Sequence, residues 1–70
     1  MVPNRNVELI LEYEAGRKPY LSTSQSVMVG LALCEPALLS AAGYSNARDA
    51  WKRLDAEQVA AILSFNKHCL

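Results

Sequence analysis

The sequence predicts an all-α fold: a compact bundle of four or five short helices forming a single helical domain over residues 1–70, with a tendency to self-associate. Three observations carry this expectation. Ser22-Thr23-Ser24-Gln25 has the form of a capping box, and behind it Val27 to Cys34 is apolar on every side, as a buried helix is. Pro36 to Leu54 outlines two short helices around a tight turn at Gly43. Asp55 with Gln58 forms a second capping box that opens a last helix.

The first element is the ambiguous one. Alternation at Val7, Leu9, Leu11 and Tyr13 is strand-like, whereas Val7, Ile10, Leu11 and Glu14 recur at helical spacing. The ends favour a helix: Asn4 or Asn6 can cap it, acidic residues suit its start, and Gly16 before Arg17-Lys18-Pro19 reads as a stop. A strand over Val7–Tyr13 stays open as the alternative. Arg17 to Leu21 is a connector. The helix after Ser22 is the expected core element, and Gly30 inside it marks a close helix crossing. Glu35-Pro36 ends or kinks that helix, because proline removes a donor and disfavours helical geometry in the residue before it.

A short helix then covers Pro36 to Ala42, closed by Gly43, and Ser45 or Asn46 caps a helix over Ala47 to Leu54. There Ala47, Ala50, Trp51 and Leu54 share one stripe, with Trp51 assigned to the core, while Arg48, Asp49, Lys52 and Arg53 share the outer face. Asp49 and Arg53 have the i,i+4 spacing of an ion pair. The last helix runs from Ala56 to Asn66 or Lys67, with Leu54 and Val59 as a hydrophobic staple. Its expected inner stripe is Val59, Ile62 and Leu63, with Phe65 pointing away.

Composition narrows the classes of function. Half the residues (51%) are hydrophobic, which is rich for 70 residues and points to apolar surface covered by a partner or a second copy. Seven basic residues balance seven acidic ones, so no overall field draws the chain to nucleic acid or an anionic membrane. The start MVPNRN lacks a signal-type apolar segment, and the greasiest run is broken at Glu35-Pro36, too short for a bilayer. Cys34 and Cys69 form no CxxC, and His68 alone adds little to a metal site. They are expected as reduced thiols of a cytoplasmic protein, Cys34 buried, although a disulfide between them is compatible with the sequence.

No nucleophile stands at a recognisable spacing from His68, and there is no phosphate loop or HExxH. The expectation is a non-enzyme with no cofactor, metal or small-molecule substrate. Protein binding fits the apolar excess and the neutral charge, and Tyr13, Tyr20, Tyr44 and Phe65 are the candidate contact residues. The function expected is a small regulatory protein, expected as a homodimer, that modulates or inhibits a larger protein through a helical surface. The alternative is a helix-turn-helix-like DNA-binding regulator in which Tyr44, Ser45 and Asn46 reach phosphates and Arg48, Lys52 and Arg53 face the duplex. In that reading the apolar register at Ala50, Trp51 and Leu54 requires a turn longer than the standard one. The words GYSNARDAWKRL, Gly43 to Leu54, also resemble a segment of phage antirepressor-type Bro amino-terminal domains, which commonly read GYSNxRDA. That resemblance implies a phage or mobile-element origin. Those domains are larger and contain sheet, which the rest of this chain does not suggest.

Overall fold

The computed structural model describes residues 5–65. Among them the chain forms five helices and no strand: α1 (Arg5–Glu14), α2 (Thr23–Leu33), α3 (Pro36–Ala41), α4 (Ala47–Lys52) and α5 (Ala56–Leu63). The all-α expectation holds, and α1 is a helix rather than a strand. Its buried residues are Leu9 and Ile10, with Val7 and Tyr13 packed beside them, so the inner stripe is turned by one position from the expected Val7/Ile10/Leu11/Glu14. The turn is physically sensible. It leaves Glu8 and Glu12 outside, where Arg5 approaches both at 3.5 and 3.6 Å, and leaves Leu11 half exposed. Asn6 lies within the helix, and Asn4 lies outside the described residues.

α2 is the hub, packing against α1, α3, α4 and α5, while α1 also meets α5. Val27 to Ala32 are all buried, joined by Leu39 of α3, Ala50 of α4, and Ala61 and Ile62 of α5. The Ser22 hydroxyl accepts from Gln25 N–H at 3.2 Å, and the Gln25 side chain accepts from Ser22 N–H at 2.9 Å, completing the capping box. Gly30 is the predicted close crossing: a Cβ there would lie 3.1 Å from Leu38 Cβ and 3.1 Å from Leu39 Cδ2.

Two helix ends, those of α1 and α3, share one closure. After α1, Gly16 at φ 88° donates to Tyr13 O and Arg17 donates to Glu12 O; after α3, Gly43 at φ 92° donates to Ser40 O and Tyr44 to Leu39 O. Both are Schellman closures, in which a left-handed residue turns orphan carbonyls towards the next two amides. At the end of α2 the left-handed residue is Cys34, at φ 54°, and both Cys34 N–H and Glu35 N–H donate to Gly30 O.

Four expectations are corrected. Cys34 is exposed and disulfide-bonded, not a buried thiol, because the chain leaves the helix at that residue and turns it outward. The chain's other cysteine, Cys69, lies outside the described residues. α4 ends at Lys52, and α5 ends at Leu63 with Ser64 as its C-cap, the Ser64 hydroxyl donating to Ala61 O at 2.6 Å. Past that early end Phe65 no longer follows helical spacing and folds back against the core, while Leu63 is 55% exposed and Ala61 takes the expected inner place. The Asp49 carboxylate is engaged not with Arg53 but with Asn46, whose Nδ2 donates to it at 3.2 Å.

The Cα radius of gyration is 10.8 Å, matching about 11 Å for a compact chain of this length. No helix among the described residues is long and apolar enough to cross a membrane.

Candidate functional site

Two surfaces present chemistry. The first is the turn and outer face of α4. The turn between α3 and α4 spans residues 42–46, longer than the three or four residues usual in a helix-turn-helix, as the apolar register requires. Asn46 caps α4: its Oδ1 accepts from Asp49 N–H at 2.9 Å while its Nδ2 holds the Asp49 carboxylate. Arg48, Lys52, Arg53 and Ser45 are exposed opposite buried Ala50, with Trp51 and Leu54 half buried on the inner side. The arrangement brings three cations together but sets a fixed carboxylate among them, and it uses Asn46 as a cap. Tyr44 packs against the core.

The local geometry also explains the GYSNARDA words. Gly43 and Tyr44 close α3, Asn46 opens α4, and Asp49 completes the reciprocal cap. Each of those residues has a structural duty at the turn. Comparison of the whole chain with protein-family models, curated proteins and solved structures finds no match.

The second surface is a cleft of about 570 Å³ lined by Tyr13, Glu14, Lys18, Leu33, Glu35, Ala37 and Leu38. The end of α1 supplies Tyr13 and Glu14, the following connector Lys18, and the α2–α3 corner the rest. Leu33 and Leu38 are half buried, whereas Ala37 is exposed. Glu35 is the N-cap residue of α3 with extended backbone (φ −109°, ψ 93°), yet its side chain makes no capping bond. Both its backbone groups are engaged: its N–H with Gly30 O at 2.8 Å and its carbonyl with Leu38 N–H at 3.1 Å. Lys18 holds a positive φ of 44°, a conformation that costs a non-glycine residue about 1–2 kcal/mol.

Of the aromatic residues singled out from the sequence, only Tyr13 lines the cleft; Tyr44 and Phe65 pack against the core elsewhere, and Tyr20 is 94% exposed. The structure does not gather the four. Sequence reasoning treated Glu35 as part of a helix breaker and missed its place in the lining of the cleft. Its signal was present: a residue before proline is held extended, so a carboxylate there stands outside both helices. Among the described residues no group of three or more His, Cys, Asp or Glu could hold a metal ion.

Proposed function

We propose that this chain is a small non-enzymatic regulatory protein that docks onto a larger protein and modulates or inhibits it. The observation that carries the proposal is the cleft at the α2–α3 corner, whose lining mixes Leu33, Ala37, Leu38 and Tyr13 with Glu14, Lys18 and Glu35. Clefts that recognise other molecules combine an apolar lining with a few placed polar groups in this way. Tyr20, nearly fully exposed, is a further candidate anchor close in sequence to Lys18. Self-association belongs to the same reading, since Leu11 and Leu63 are exposed on α1 and α5, two helices that pack together. Sedimentation at micromolar concentration should then show a two-chain particle, and a strictly monomeric one removes that part.

A second reading, DNA binding through α4, draws on the three exposed cations Arg48, Lys52 and Arg53. One experiment separates the two. Replacing Arg48, Lys52 and Arg53 by Ala should leave the fold intact and have little effect on partner capture, whereas Tyr13→Ala or Tyr20→Ala should weaken capture by about 1–2 kcal/mol or more if either is an anchor. A duplex shift by the parent that weakens steeply with salt and vanishes in the triple variant would instead establish the DNA reading.

A further inference from the structure

Resting on the docking reading above, we propose that the disulfide at Cys34 closes with Cys69 of the same chain and latches residues 66–70 across the α2–α3 corner cleft. Reduction by a dithiol then opens the cleft to a partner. Cys34 is disulfide-bonded, and the sequence holds one further cysteine, Cys69. The bond stands at the cleft: Leu33 and Glu35, on either side of Cys34, both line it. Cys34 also occupies the left-handed position that closes α2, at φ 54°. Glycine is the usual residue in such a closure. A cysteine held in that conformation costs free energy, and outliers of this kind persist where the side chain has a task.

The other arm of the latch is short. Phe65 packs against the core and α5 packs against α2, and residues 66–69 span at most about 14 Å from there. With both ends fixed, the segment has little freedom left to lose. Leu70, beside Cys69, is the aliphatic side chain that it offers to half-buried Leu33 and Leu38. Without the bond the balance reverses, because ordering residues 66–70 costs more than burying one leucine returns. Cys34 is exposed, and exposed disulfides are the readily reduced ones. A thiolate of the dithiol attacks one sulfur, forming a mixed disulfide and releasing the other cysteine as a thiolate. The second thiol then closes the reductant into its own disulfide, leaving Cys34 and Cys69 as thiols.

Two measurements on the full chain test the latch. Digested with trypsin without reduction, the oxidised chain should yield residues 18–48 linked to residues 68–70 in one mass. Two chains joined through their cysteines on a denaturing gel would overturn the latch. The second measurement reads methyl signals broadened by a soluble neutral nitroxide. The methyls of Leu33, Ala37 and Leu38 should broaden more strongly after dithiothreitol than before, while those of buried Leu9 and Ile62 stay protected. Cys69→Ser should match the reduced parent and ignore the reductant. Leu70→Ser keeps the bond and should expose Leu33 and Leu38 in the oxidised chain, so the test holds even where reduction unfolds the domain. If Leu33 and Leu38 are equally exposed in the oxidised parent, in Leu70→Ser and in Cys69→Ser, the bond guards nothing; the latch is overturned while the docking reading stands. If the cleft opens on reduction but the parent shifts duplex DNA in both redox states, the latch stands and the docking reading falls.

Discussion

Gly30 shows how two opposed residue-scale effects are weighed. Alanine is the better helix former, by about 1 kcal/mol, so Gly30→Ala in an isolated α2 would stabilise. In the folded chain the new Cβ meets Leu38 Cβ at 3.1 Å and Leu39 Cδ2 at 3.1 Å. The leucine tip can swing away, but a Cβ is fixed to its backbone, so relief requires α3 to move. Overpacking of this kind costs about 1–3 kcal/mol, which exceeds the propensity gain. Gly30→Ala should therefore lower the melting temperature, by several degrees for about 1 kcal/mol in a domain this small. An unchanged or raised midpoint would mean that α3 is not held against α2 as described. Gly16 and Gly43 differ in kind: a Cβ would meet nothing within 4 Å, and glycine is needed there for φ of 88° and 92°.

At the scale of elements, what was legible in the sequence was punctuation. Capping boxes, glycine closures and the Glu35-Pro36 break are local chemistry, readable without the fold, and they set the number and order of the helices. What sequence pattern missed depends on packing or on where a helix stops. The one-position turn of α1 was hidden because Leu11 and Leu9 are equally apolar, and only contact with α2 and α5 selects Leu9. Leu63 and Phe65 exchanged expected places because α5 closes at Ser64, a residue with no strong stop signal. The cleft brings together two stretches, 13–18 and 33–38, that are distant in sequence, so no single stretch announces it. The caps themselves are open to test. Ser22→Ala and Asp55→Ala should each cost about 1 kcal/mol. Asp55→Ala should cost slightly more, since its charge also favours the start of α5. Asp55→Asn keeps the acceptor for Gln58 N–H and should recover most of the loss; if it matches Asp55→Ala in chemical denaturation, the hydrogen bond at 2.8 Å is not what holds α5.

For the whole molecule, the apolar excess that argued for a partner is largely absorbed inside. Its surface is 4497 Å², against about 4,300 Å² for a compact monomer of this mass, and the large apolar side chains exposed among the described residues are Leu11, Tyr20 and Leu63. A core this small still sets a modest total, about 4–10 kcal/mol at the usual stability per residue. Against that, a disulfide typically contributes about 2–4 kcal/mol, so the bond at Cys34 is a large share of the stability. Such bonds persist in oxidising compartments and are uncommon in a reducing cytoplasm, so the redox state of Cys34 bears directly on the cytoplasmic expectation. The two states are separated by denaturation with and without a thiol reductant. Reduction should move the midpoint down, Cys34→Ser should reproduce the reduced midpoint, and reductant should then have no further effect on the variant. A parent whose midpoint ignores reductant, and whose two cysteines both react with a thiol label in the native state, would restore the reduced, cytoplasmic reading.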